Sequence, residues 1–76
     1  MNKERRKQIS KLLESLGEIK ESLQEVLDEE QEAFDNLPDS FQDSERGELM
    51  QTAIENMESA ISGMEEAEES LTEITE

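Results

Sequence analysis

The chain has 76 residues and a net charge of −15, from 22 acidic and 7 basic side chains, and it contains neither Cys nor His. A chain of this length forms one small domain that buries only about 60% of its unfolded surface. Without Cys and His it has no thiolate or imidazole nucleophile, no imidazole base and none of the usual transition-metal ligands. We therefore expect no enzyme activity, no metal and no cofactor.

Apolar residues in the first half of the chain recur in alternating steps of three and four, which is the heptad pattern of a packed α-helix. The a and d positions of this pattern are Ile9, Leu12, Leu16, Ile19, Leu23, Val26, Glu30, Ala33 and Leu37. Leu13, Leu27 and Phe34 at e widen the apolar face, as in a bundle helix rather than a two-stranded coiled coil. The pattern predicts a first helix over about residues 3–35, ended by Pro38.

A polar loop is predicted over about residues 36–44. Asp43 or Ser44 can cap the helix that follows, because both side chains accept hydrogen bonds from backbone N–H groups. The spacing of Ser40 and Asp43 also allows a short extra helical turn, with Phe41 as a lid over this end of the molecule.

A second helix is predicted over about residues 45–75, with small or flexible residues on its apolar face. Its a positions are Met50, Met57, Met64 and Leu71, and its d positions are Ala53, Ala60, Ala67 and Ile74. Ile54 and Ile61 are apolar residues at e. The small d residues permit close approach, so we expect bulky residues of the first helix to fill the space opposite. The fold class is therefore all-α, an antiparallel two-helix hairpin forming a single domain over residues 1–76.

Two helices alone cannot cover faces this wide. We therefore expect a homodimer of hairpins that forms an antiparallel four-helix bundle. The competing interpretation is a monomer whose open apolar face docks on another protein.

Charge is distributed unevenly along the chain. Residues 1–11 carry five basic side chains against Glu4, whereas residues 12–76 carry two basic and 21 acidic ones. In an antiparallel hairpin the basic start would lie beside the acidic end, so we expect the two termini to be electrostatically matched. A basic arm for nucleic acid or a membrane is the rival, but the surrounding negative charge would repel phosphate. We expect no direct nucleic-acid binding, no membrane contact and a cytoplasmic location.

The outer face of the first helix carries an uninterrupted row of carboxylates, here called the acidic stripe. It occupies every c and f position from residue 14 onward: Glu14, Glu18, Glu21, Glu25, Asp28, Glu32 and Asp35. Like charges three and four residues apart repel each other, so an ordinary solvated face mixes signs. The stripe is the candidate partner-binding site, because regularly spaced negative charge imitates a nucleic-acid backbone. The alternative is a solubilising surface on a protein that works through its apolar face.

The sequence motif EAFDNLP, followed by SERGE, lies within residues 29–71. This segment resembles small acidic helical-hairpin proteins of phages and prophages of Gram-positive bacteria, a largely uncharacterised group that assigns no functional residues. The resemblance implies an accessory gene of a mobile element.

Together these features predict a phage-encoded inhibitor in the cytoplasm of the bacterial host. It would mimic nucleic acid and occupy a basic surface of a host nucleic-acid-binding or defence protein. The alternative is a small assembly or regulatory adaptor that binds a partner helix through its apolar face.

Overall fold

The computed structural model describes all 76 residues and consists of helices joined by short connections. The helices are α1 (Lys3–Asp35), α2 (Asp39–Gln42) and α3 (Glu45–Thr75), and there is no strand. The prediction of an all-α chain is therefore confirmed. The molecule is very elongated, with extents of 58 × 15 × 14 Å, because α1 alone is about 50 Å long at 1.5 Å per residue.

Side-chain caps begin both long helices. The Oδ1 atom of Asn2 accepts a hydrogen bond from the backbone N–H of Arg5 at 2.8 Å, and Ser44 Oγ accepts one from Gly47 at 3.4 Å. Of the two candidate caps for α3, the structure uses Ser44 and not Asp43. Each cap satisfies one of the N–H groups that the first turn of a helix leaves without a partner.

The turn between the long helices differs from the prediction in two respects. The single-turn helix α2 follows Pro38 without a side-chain cap, so Ser40 does not begin it. Phe41 is 54% exposed and is not a lid. The side-chain amide of Gln42 instead donates hydrogen bonds to the carbonyl oxygens of Phe34 and Leu37, at 3.3 and 3.1 Å. These bonds tie α2 to the end of α1, and α2 then packs on α3.

The helices α1 and α3 lie side by side and run in opposite directions. Lys20 Nζ lies 2.6 Å from Glu68 Oε1, and both residues occupy e positions. Because the helices are antiparallel, the residue seven positions after Lys20 in α1 is level with the residue seven positions before Glu68 in α3. Each such step of seven brings another e position of α1 beside an e position of α3. Residues that share a groove confirm this register. The successive levels are Lys20 with Glu68, Leu27 with Ile61, and Phe34 with Ile54.

The core formed by these levels is thin. Its buried side chains are Leu27, Ile54 and Ile61, with exposures of 8%, 5% and 9%, and no side chain is fully enclosed. The a positions beside them are partly buried. The a and e edges of the two helices therefore form the contact between them.

The d positions of α1 lie outside this contact. Leu12, Ile19 and Val26 are 61%, 56% and 52% exposed. Of the bulky residues of the first helix expected to fill the space opposite the alanines, these three therefore do not do so within one chain. Two helices contact each other along one narrow strip, and here the a and e residues form that strip, so the d residues of α1 remain exposed.

The predicted match between the charged termini is also wrong. Seven residues away from the Lys20 level, Leu13 is level with Thr75, so residues 3–11 extend about 14 Å past the end of α3. Residues 1–8 are all exposed. The ion pairs of the chain join Lys20 to Glu65 and Glu68, and none involves the basic start. The basic start has no acidic neighbour on α3 because the helices are offset along their axes.

Glycine substitutions test the packing of the turn. A Cβ on Gly47 would overlap the backbone carbonyl of Gln42, whereas a Cβ on Gly17 would meet only the flexible Glu68 carboxylate at 3.7 Å. We expect Gly17→Ala to stabilise the chain by about 1 kcal/mol through helix propensity, and Gly47→Ala to destabilise it. Urea unfolding followed by circular dichroism measures both at one protein concentration. Equal effects would contradict the described contact between α2 and α3.

Candidate functional site

The structure places the whole acidic stripe on the solvent side of α1. All seven of its carboxylate residues are exposed. At 100° per residue, c and f positions lie about 120–180° around the helix from the a/e edge that contacts α3. From Glu14 to Asp35 the stripe is about 31 Å long, with one carboxylate every 5 Å or so. The seven predicted residues thus form one continuous surface.

No cation neutralises the stripe. None of its carboxylates takes part in an ion pair. Its side-chain hydrogen bonds come from neutral amides: Gln24 donates to Asp28 at 3.0 Å, and Gln31 donates to Asp35 at 3.1 Å. Lys20, the one lysine in this part of α1, is directed to α3 instead. The repulsion between stripe neighbours, a few tenths of a kcal/mol per pair, is therefore not offset by ion pairing.

The outer face of α3 carries many carboxylates but no continuous row. Polar uncharged residues, Thr52, Ser59 and Ser62, occupy c and f positions in its middle. They separate the acids at these positions into a pair near the turn, a single Glu55 in the middle and a third group near the C-terminus. An uninterrupted carboxylate row is thus a property of α1, and α3 provides an internal comparison with a similar number of acidic side chains.

A second surface, here called the open face, consists of the d positions of both long helices. Its residues are Leu12, Ile19, Val26 and Ala33 of α1, and Ala53, Ala60, Ala67 and Ile74 of α3. In an antiparallel pair, equivalent heptad positions flank the same side. The other side shows this directly, because b residues of both helices, Gln24, Gln31 and Glu58, line one shallow polar groove. The d positions therefore share the opposite, apolar side.

Sequence reasoning missed the polar level in the contact between the helices. The Lys20 and Glu68 side chains are 27% and 25% exposed, and Glu65 lies 4.0 Å from the same ammonium group. The hydrogen bond that Lys20 donates to Glu68 raises the pKa of Lys20, against a smaller opposing effect of desolvation. A single polar level in an apolar series specifies how two helices align. The signal was available, since Lys20 and Glu68 occupy e positions, which are apolar at the levels nearer the turn.

No group of three or more acidic side chains is arranged to hold a metal ion. Glu30, the acid on the a/d seam, is partly buried. No helix combines the length and the apolar character that crossing a membrane requires.

Comparison of the chain with family models, with curated proteins and with solved structures found no match. The resemblance of residues 29–71 to phage proteins therefore stays a prediction. The acidic stripe and the open face are the two surfaces from which function can be inferred.

The Lys20 pair predicts a particular dependence of stability on pH. Because its pKa is raised above the ordinary 10.5, the stabilisation from Lys20 is fully present below that value and is lost as the pH rises through the pKa in the folded chain. We expect the difference in melting temperature between the wild type and Lys20→Met to be constant near neutral pH and to change above about pH 10.5. Lys11→Met, which removes an exposed lysine, is the control. Parallel pH profiles for all three proteins would contradict the pairing.

Proposed function

We propose that the protein is a non-enzymatic interaction protein whose acidic stripe occupies the basic nucleic-acid-binding groove of another protein. The observation that carries the proposal is the stripe itself, with seven exposed carboxylates in one row and no cation paired with any of them. The row has no lysine or neutral interruption at its c and f positions, in contrast to the outer face of α3.

Shape and charge together support this use of the stripe. A DNA strand presents one negative charge every 3.4 Å, and the stripe presents one about every 5 Å along a rigid helix. Grooves that bind nucleic acid are lined with Lys and Arg, and their field attracts negative charge of any chemical origin. A straight rod 58 Å long and about 15 Å wide can lie along such a groove.

The resemblance to phage and prophage proteins supports the choice of target. An accessory protein of a mobile element gains from inhibiting a host nucleic-acid-binding protein or a defence protein. We therefore propose an inhibitor that acts in the cytoplasm of a bacterial host and competes there with DNA or RNA for a basic surface.

The proposed acting form is an antiparallel hairpin that pairs with a second copy through the open face, giving a four-helix bundle. A compact protein of this mass exposes about 4,700 Å², whereas the chain exposes 5780 Å². The excess of about 1,000 Å² is comparable to the 800 Å² or so that each partner buries in a standard interface. Because c and f positions lie about 100–160° from d around the helix, the stripe stays accessible in this dimer.

One observation favours a second candidate function. The exposed row of Leu12, Ile19 and Val26 has the seven-residue spacing with which one helix docks on another. An adaptor would use this row to bind a partner helix, and its acidic stripe would serve solubility.

Charge reversal on the stripe tests the first proposal. Reversing Glu18, Glu21, Glu25 and Asp28 to Lys should abolish partner binding while preserving the fold, because all four side chains are exposed and unpaired with cations. The matched control reverses Glu55, Glu66, Glu69 and Glu73 of α3, which are also exposed, and so changes the net charge equally. Circular dichroism should show wild-type helix content in both variants.

Binding is measured by capture from a lysate of a Gram-positive bacterium on immobilised protein. We expect proteins that are retained by the wild type and the α3 control, released by excess duplex DNA, and absent from the stripe variant. Retention should also fall steeply with salt, since charge pairing at a surface is screened. An unchanged set of proteins on the stripe variant would refute the proposal.

A polar substitution in the open face separates the two candidate functions. Val26→Ser leaves every stripe carboxylate in place. Under the inhibitor proposal, the proteins displaced by DNA remain bound to Val26→Ser at a protein concentration at which light scattering shows the variant to be dimeric. Under the adaptor alternative they are lost, and capture by the wild type hardly depends on salt. The comparison is made at a temperature at which circular dichroism shows the variant to be helical.

A further inference from the structure

The two ends of the molecule carry opposite charge that is not neutralised within one chain. At one end, residues 1–11 project past α3 with five basic side chains against Glu4, a net charge of +4. At the other end, the loop end, defined as residues 39–48, carries four acidic side chains against Arg46, a net charge of −3. No ion pair involves either group. Each end therefore offers charge to a partner molecule.

The axial positions of these two ends are complementary in a second copy. The open face extends along α1 from Leu12 to Ala33, so its centre lies between Ile19 and Val26. A twofold axis at that height and perpendicular to the helices reverses the direction of the second chain. Residues 3–11 of one chain then lie level with about residues 34–42 and 45–53 of the other. The projecting basic segment has the length needed to span the loop end of the partner.

We propose that the chain dimerises head to tail, with the basic segment of each copy lying against the acidic loop end of the other. The inference rests on the dimer in the proposed function and adds its direction and the role of residues 1–11. The open face is then covered by the same face of the second copy, and Leu12 of one chain stacks near Ala33 of the other. At each end of the bundle, the basic segment of one chain meets the acidic loop end of the other, so the two charges largely cancel there.

The other symmetric arrangement places both turns at the same end. Its twofold axis runs along the bundle, so the two basic segments project side by side with +4 beside +4. The two loop ends likewise meet with like charge. Both arrangements place the open face of one chain on the open face of the other, so charge is what distinguishes them here. In the head-to-tail dimer, oppositely charged ends meet, which fixes orientation as charges across interfaces commonly do.

Disulfide cross-linking reads the direction directly, because the chain has no cysteine of its own. We expect a mixture of Leu12→Cys and Ala33→Cys chains to form covalent dimers on mild oxidation, and a mixture of Leu12→Cys and Ile74→Cys not to form them. None of these three variants should form covalent dimers when it is oxidised alone. Gln24→Cys, on the polar side of the pair, is the control for random collision. Cross-linking of Leu12→Cys with Ile74→Cys instead would overturn the inference and leave the dimer standing.

Charge reversal with rescue tests the role of the basic segment. Changing Arg5, Arg6 and Lys7 to Glu should raise the dissociation constant of the dimer about tenfold, measured by sedimentation equilibrium. Adding Asp39→Lys, Asp43→Lys and Glu45→Lys to the same chain should restore it, because the swapped ends attract again. Failure of the second set to rescue the first would overturn the inference.

Light scattering separates this inference from the rest of the proposed function. A wild-type chain that stays monomeric at all accessible concentrations would overturn both the dimer and its direction. The open face would then serve another protein. The capture experiment with the stripe variant is read independently of that result.

Discussion

Two helices that pack side by side meet along a single strip, and the rest of this structure depends on that constraint. Each long helix carries apolar residues at a, d and e, a face more than 100° wide. The a and e edges take the strip, which leaves a core of Leu27, Ile54 and Ile61 and exposes the d row of α1. A thin core and an open apolar face are thus two results of one geometric limit.

The axial alignment of α1 with α3 determines where the basic start and the acidic stripe lie relative to α3. The Lys20–Glu68 level aligns α1 and α3 so that the first eleven residues have no counterpart on α3. The same alignment directs the one lysine of the middle of α1 toward α3 and leaves the acidic stripe without a cation. The offset selected by the turn and this polar level therefore determines the length of the projecting basic segment and leaves the stripe without an ion pair.

The acidic stripe and the open face are physically independent surfaces. They lie on different sides of α1, so covering one does not hide the other. A dimer formed through the open face would present two stripes on its outside, each about 31 Å long. Association and partner binding can then be altered separately by substitution, which makes the two candidate functions distinguishable in this small chain.

Local signals in the sequence were enough to predict the helical class, the break at Pro38, a cap of α3 at Asp43 or Ser44, and the position of the acidic stripe. Each depends on residues within one or two turns of each other, so periodicity and backbone preference suffice. The exposure of Phe41 and the burial of Gly47 were not predictable in this way. Both depend on how α2 sits between the ends of α1 and α3.

The sequence by itself determined which residues are helical and which face of each helix is apolar or acidic. The tertiary structure alone decided which edge of the apolar face is buried and how far the helices are offset. A heptad pattern repeats every seven residues, so shifting one helix by a heptad leaves apolar positions opposite apolar positions. The closing turn and the Lys20–Glu68 level select one offset. That offset separates the basic start from the acidic end, against what the sequence suggested.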